Sequence, residues 1–132
     1  MSKNAAAELA DFLDQRARAV QAIEAEAQAL IHGQGGGQGG GQGDQAGYET
    51  RMRAKAQLLA GLAADAQGLV AALEPLLSRA AGQRLARFAE SAANSLSIGS
   101  PFYMSALLYP DEHKAGEPND LERFADEVRA WG

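Results

Sequence analysis

At 132 residues the chain is long enough to form one domain with a buried core, and it carries a formal charge of −5 and no cysteine. The lack of cysteine excludes disulfides, thiolate nucleophiles and cysteine-based metal sites. The acidic charge argues against nucleic acid as a partner, because domains that bind the phosphate backbone are usually basic.

The amino-terminal stretch predicts a long helix. Either Ser2 or Asn4 can cap it, and alanine, glutamate, glutamine and arginine dominate from Ala5 to about Ile31. Acidic residues occur before any apolar run has formed, so we expect no signal peptide and a cytoplasmic location. The mostly apolar positions of one helix face alternate spacings of four and three residues, which is the period of the contact seam in a coiled coil or helical hairpin. These positions are Leu9, Leu13, Arg16, Val20, Ile23, Ala27 and Leu30.

A second helix with the same period is predicted from about Gln45 onward. Its seam positions are Tyr48, Met52, Lys55, Leu59, Leu62, Ala66, Leu69, Leu73 and Leu76. Two seams of similar length predict an antiparallel hairpin, which places Lys55 near Glu24. The same register places Arg16 near Asp65. We expect the stems of both basic residues to pack in the seam while their charged ends reach the acids. A charge that fixes the register or faces a partner is the alternative.

The chain between these helices consists almost wholly of glycine and glutamine. Gly35, Gly37 and Gly40 match the G-x-G-x-x-G pattern, but that nucleotide-binding fingerprint requires a preceding strand. The eleven residues 33–43 would reach about 18 Å, more than the roughly 10 Å between packed helices. We therefore predict a flexible linker at 33–43, within a single all-helical domain spanning 1–132.

The remaining chain predicts three further helices. Pro75 interrupts the second helix, and a third helix runs from there to about Leu96. This third helix can continue the second with a kink or turn back against the hairpin. Ser100 caps a short helix to about residue 108, and Asn119 or Asp120 caps a last amphipathic helix. No stretch alternates as a strand would. The predicted fold class is all-α: an antiparallel hairpin of two long helices plus shorter C-terminal helices in a helical bundle.

Few residues suggest metal binding or catalysis. His32 follows the first helix, where a cation interacts favourably with the helix dipole. His113 has Asp111 and Glu112 beside it, so a metal-binding or catalytic bundle using these three residues is one alternative function. Three contiguous residues rarely converge on one ion, and no Ser-His-Asp arrangement is suggested. We therefore expect no cofactor and no enzymatic activity.

The segment from Ser91 to Pro110 contains no charged residue. It is as long as a membrane span, but its serines, glycine and proline make it too polar and too broken, so we expect no membrane span. One interpretation is that the segment covers the open groove of the bundle. The other is a surface that binds a protein partner, since methionine and aromatic residues are enriched at interfaces. The candidate partner-binding residues are Phe102, Tyr103, Met104, Leu107, Leu108 and Tyr109.

The stretch RAKAQLLAGLAADAQGLVAAL, after an acidic and alanine-rich first helix, resembles the middle of flagellar and type III export chaperones of the FlgN kind. The matching pattern is Lys-x-x-Leu-Leu-x-x-Leu. It corresponds to Lys55, Leu58, Leu59 and Leu62. The resemblance covers about residues 9–90, and it implies a small acidic protein that binds apolar helices of export substrates.

The preferred functional hypothesis is a non-enzymatic helical module for protein–protein interaction, acting as an export or assembly chaperone on a secreted or assembled subunit. A homodimer is a second expectation, because two long seams can pair between chains as well as within one. A structural subunit of a larger assembly is a further alternative, and no feature of the sequence separates it from the chaperone hypothesis.

Overall fold

The computed structural model describes residues 4–31 and 44–132, so His32 and the predicted linker 33–43 lie outside the described residues. Within the described ranges the chain forms helices and no strands, which confirms the all-α prediction. The helices are α1 (Ala5–Ile31), α2 (Gln45–Ala60), α3 (Leu62–Asp65), α4 (Gln67–Ala71), α5 (Pro75–Ile98), α6 (Pro101–Ala106) and α7 (Asp120–Trp131).

The predicted hairpin between α1 and α2 is present, and its register is confirmed. Lys55 Nζ lies 2.9 Å from Glu24 Oε2, and Arg16 Nη2 lies 3.8 Å from Asp65 Oδ2. The partner numbers fall along one helix as they rise along the other, so the two helices are antiparallel. Apolar seam residues from α1, α2 and α3 are buried together in the core, among them Leu9, Leu13, Val20, Leu59 and Leu62.

The predicted second helix does not run unbroken to Leu76. It ends at Ala60, and the short helices α3 and α4 follow after interruptions at Gly61 and Ala66. Glycine in a helix interior costs about 1 kcal/mol relative to alanine, so Gly61 weakens the helix at the first break. The seam also ends earlier than expected, because Leu73 is buried whereas Leu76 is 73% exposed.

Helix α5 turns back against the hairpin instead of continuing α2 with a kink, and it packs along α2, α3 and α4. Pro75 occupies its first turn, where the missing N–H is tolerated. The Glu74 carboxylate caps the helix by accepting hydrogen bonds from the Leu76 and Leu77 backbone N–H groups. At the other end Gly99 adopts a left-handed conformation with φ of 73°, which glycine reaches without strain.

Helix α7 packs on α1. Asn119 begins it with a reciprocal capping box: its side chain accepts from the Glu122 N–H, and the Glu122 carboxylate accepts from the Asn119 N–H. Between α5 and α7 the contacts are made by long side chains. The Phe88 and Phe124 ring centroids lie 5.9 Å apart. Because these two helices meet only through side chains, a groove remains along their junction.

Candidate functional site

The structure divides the six predicted partner-binding residues between the core and the surface. Met104 and Leu108 are buried, and Leu107 and Tyr109 are half-buried. Phe102 is 72% exposed and Tyr103 is 51% exposed. The two interpretations of this segment therefore apply to different side chains, since one set of residues fastens it to the bundle while another faces outward.

Met104 and Leu108 fasten the segment through apolar packing. Met104 sits in a small cluster with Met52 of α2 and Ala27 of α1. Leu108 packs in the main core although its backbone φ is 76°, a conformation that costs bulky residues free energy. Its carbonyl accepts a hydrogen bond of 3.0 Å from the Asp120 N–H, so the turn after α6 is tied to the start of α7.

A polar network holds the same segment to the hairpin. The Lys55 ammonium is fully buried, and it donates a 3.0 Å hydrogen bond to the Ser105 carbonyl of α6. It also forms the ion pair with Glu24 and lies 5.0 Å from the centre of the Tyr109 ring. The Tyr109 hydroxyl donates a 2.6 Å hydrogen bond to Glu24 Oε1. Lys55, Glu24, Tyr109 and Ser105, which we call the anchoring network, therefore join three parts of the chain.

Burial shifts the ionisation of two members of the anchoring network. Removal from water lowers the pKa of Lys55, and the neighbouring Glu24 carboxylate opposes that change only in part. Burial, followed by the hydrogen bond to Glu24, raises the pKa of the Tyr109 hydroxyl. The predicted contact of the Lys55 charge with Glu24 is confirmed, and α6 and Tyr109 also enclose that charge, so it is buried.

The lowered pKa of Lys55 predicts a pH dependence of stability. Between its folded pKa and the ordinary lysine value of about 10.4, the unfolded chain holds more protons, so the free energy of unfolding should rise with pH. Tyr109 acts in the opposite sense, but only near and above about pH 10, which is the ordinary pKa of the unfolded tyrosine. Chemical denaturation from about pH 7 to about pH 10 should show this rise in the wild type relative to Lys55→Met. A difference that stays constant or falls would contradict the burial of a charged lysine.

The outward-facing residues form an apolar surface where α5 meets α6. Ile98 at the end of α5 is 62% exposed, and Phe102 and Tyr103 follow it at the start of α6. The Phe102 and Tyr103 rings pack on each other with their centroids 5.7 Å apart. A shallow hollow of about 220 Å³ adjoins Ile98 and Tyr103, and Leu107 contributes to its lining. We call Ile98, Phe102 and Tyr103 the apolar corner.

Beside the apolar corner, a groove of about 550 Å³ follows the junction of α5 and α7. Its apolar lining includes Leu59, Phe88, Tyr103, Ala106, Leu107, Leu108, Tyr109 and Pro110. Its charged lining consists of Arg84, Arg87, Arg123 and one acid, Asp120. The groove and the hollow at the corner share Tyr103 and Leu107, so the two depressions form a continuous surface.

The alternative site at His113 is not assembled. His113 Nε2 lies 2.9 Å from the Glu117 carbonyl oxygen, and its ring packs edge-on against Tyr109 at 4.9 Å. Asp111 and Glu112 are exposed in the loop beside it. In residues 4–31 and 44–132, no three histidine, aspartate or glutamate side chains come close enough to hold a metal ion. The geometry therefore gives no support to a metal site built from His113, Asp111 and Glu112.

The chain matches no protein-family model, no curated protein and no solved structure. In the part of the chain that the structure describes, no helix is both long enough and apolar enough to cross a membrane.

Proposed function

We propose that the protein is a non-enzymatic helical module that holds an apolar segment of a partner protein, as an export or assembly chaperone does. The observation that carries this proposal is the apolar corner, where three large apolar side chains are exposed next to one another. Contiguous exposed apolar side chains on a soluble domain are typical of interaction surfaces. Isolated apolar residues on a surface would carry no such meaning.

The way the corner is held strengthens the proposal. Met104 and Leu108 are buried in the core, and the anchoring network ties α6 to the hairpin through the Ser105 carbonyl. The corner is therefore a preorganised surface, which reduces the loss of conformational entropy on binding. Aromatic residues suit such a surface because they bury much area while losing few rotamers. The absence of cysteine fits action in the reducing cytoplasm.

The proposal predicts that polar substitution of the corner abolishes partner binding without unfolding the protein. The double variant Ile98→Ser and Phe102→Ser removes exposed apolar surface, so its thermal midpoint should stay within a few degrees of the wild type. Affinity capture from cells of the source organism should recover a defined partner with the wild type and at least tenfold less with the double variant.

Leu76→Ser is the matched control, because Leu76 is equally exposed but lies at the start of α5, the far end from the corner. It should retain the partner. Equal recovery with the wild type and the corner variant would contradict the proposal, and so would equal loss with Leu76→Ser. If the captured partner is a second copy of this chain, sedimentation velocity of the wild type should show a dimer that the corner variant loses. That result would identify the interaction as self-association and would contradict a chaperone role.

A further inference from the structure

We propose that the groove between α5 and α7 binds an amphipathic helix of the partner that carries carboxylates along one flank. This inference rests on the proposed function and adds the chemistry of the bound segment. The apolar corner and the groove lining would contact the apolar face of that helix, and the arginines of the groove would contact its acidic flank.

The charge of the groove is opposite to the charge of the whole protein. Three arginines line it against the single Asp120, in a chain with a formal charge of −5. Like charges gathered beside an apolar surface repel one another, so their placement favours an anionic occupant. Arginine also suits this role because its planar guanidinium binds a carboxylate through two parallel hydrogen bonds.

The three arginines differ in how far they are already paired. Arg84 already interacts with α7, because its Nη1 lies 3.0 Å from Glu127 Oε1 and its guanidinium lies 4.4 Å from the centre of the Phe124 ring. Within residues 4–31 and 44–132, the ion pair of Arg123 is a long contact of 3.8 Å with Glu117. Arg87 is exposed, and within residues 4–31 and 44–132 no acidic side chain lies within ion-pair distance of it. Arg87 and Arg123 are therefore the residues available to a partner.

The shape of the surface favours a helix over a small ligand. Because the groove and the hollow at the corner share Tyr103 and Leu107, apolar lining continues from the α5–α7 junction to the exposed Ile98. Such an open and partly apolar depression matches the way amphipathic helices bind in grooves, with apolar anchors three or four residues apart. The groove is bordered on both sides by helices that are fixed in the bundle, so it does not need to form on binding.

Two synthetic peptides test the charge preference directly. Both would be helices of about 18 residues with leucine and phenylalanine on one face, the first with glutamates along the flank and the second with lysines in their place. Fluorescence anisotropy at low ionic strength should show the glutamate peptide binding at least tenfold more tightly than the lysine peptide. Raising the salt concentration should reduce the ratio, because exposed charge pairs are screened.

Charge reversal on the protein should reverse the preference. The double variant Arg87→Glu and Arg123→Glu should bind the lysine peptide more tightly than the glutamate peptide. The double variant Arg18→Glu and Arg53→Glu is the matched control, because both of its arginines are exposed on α1 and α2, outside the groove lining, and the change in net charge is the same. This control should keep the preference for the glutamate peptide.

The outcomes separate this inference from the proposed function. If both peptides bound equally and the Ile98→Ser and Phe102→Ser variant lost that binding, the proposed preference for an acidic flank would be overturned. The proposed apolar interaction would still stand. Failure of both peptides to bind, while affinity capture still recovers a partner at the corner, would likewise overturn only the inference. Binding to vesicles of phosphatidylglycerol and phosphatidylcholine that the Arg87→Glu and Arg123→Glu variant loses, with no peptide binding, would assign the groove to an anionic membrane surface and would also overturn it.

Discussion

Replacing Glu24 with leucine should lower the free energy of unfolding by about 3 kcal/mol or more, because it leaves the buried Lys55 ammonium without its counter-ion. The Ser105 carbonyl would be the remaining hydrogen-bond acceptor among the contacts of Lys55 Nζ. The Tyr109 hydroxyl would also lose its acceptor. Equilibrium denaturation in urea or guanidinium chloride at pH 7 measures the change.

Two further variants identify the cause of that loss. Lys55→Met keeps the volume of the side chain and leaves the Glu24 carboxylate without its cation. Because the Glu24 side chain is still 19% exposed to solvent, this variant should lose less stability than Glu24→Leu. The double variant Glu24→Leu and Lys55→Met replaces the ion pair with apolar groups and should recover most of the stability. A Glu24→Leu variant as stable as the wild type would contradict an ion pair buried in the native fold. A double variant less stable than both single variants would contradict the assignment of the loss to an unpaired charge.

Replacing Phe124 with alanine should lower the free energy of unfolding by about 3–5 kcal/mol. Phe124 is fully buried on α7, where its ring packs against Phe88 of α5 and lies under the Arg84 guanidinium. The Trp131 ring also packs edge-on against it, with centroids 6.3 Å apart. Truncation would leave a cavity where α5 and α7 meet through side chains, and the backbones there are too far apart to close it. Calorimetry or denaturant unfolding measures the loss.

Phe102→Ala is the control for this truncation. It removes the same aromatic ring from an exposed position, so its stability should stay within about 0.5 kcal/mol of the wild type. If Phe124→Ala had an equally small effect, α7 would not be part of the cooperative core, and the groove between α5 and α7 would not be a fixed feature of the fold. If Phe102→Ala lowered the free energy of unfolding as much as Phe124→Ala, that result would contradict the exposed position of Phe102 in the apolar corner.

The regular features of the fold were predictable because they depend on local spacing. The alternation of four and three residues in α1 and α2 defines the register closely enough to pair Lys55 with Glu24 from the sequence alone. The caps of the later helices were equally predictable, since Ser100 and Asn119 are side chains that satisfy the free N–H groups of a first turn. The breaks in the second helix were not predictable, because the heptad pattern of the sequence continues through Gly61 although the helix is interrupted there.

The candidate site was predictable only as a segment. The lack of charge in residues 91–110 marked the aromatic stretch, but a run of apolar residues on a short helix does not show which side chains face the core. Burial of Met104 and exposure of Phe102 are decided by how α6 lies against α2 and α5. The groove was missed for the same reason. Arg84, Arg87 and Arg123 come from two helices that are far apart in sequence, and only the tertiary structure brings them together.

The anchoring network connects stability to the proposed function. Its polar contacts hold α6 on the hairpin, and α6 carries Phe102 and Tyr103 of the apolar corner. A change that weakens the network should therefore alter partner binding as well as stability, whereas a change at the corner should alter binding alone. This difference separates residues that position the surface from residues that contact the partner.

Site-specific photo-crosslinking tests the central claim, that the apolar corner contacts a partner protein, most directly. A photoreactive phenylalanine analogue at position 102 keeps the aromatic ring in place, and the same analogue at Ala130, an exposed residue near the end of α7, provides the control. In living cells of the source organism, position 102 should crosslink to a discrete protein of a different sequence, and position 130 should not. Crosslinking absent at position 102, or equal at both positions, would contradict the claim.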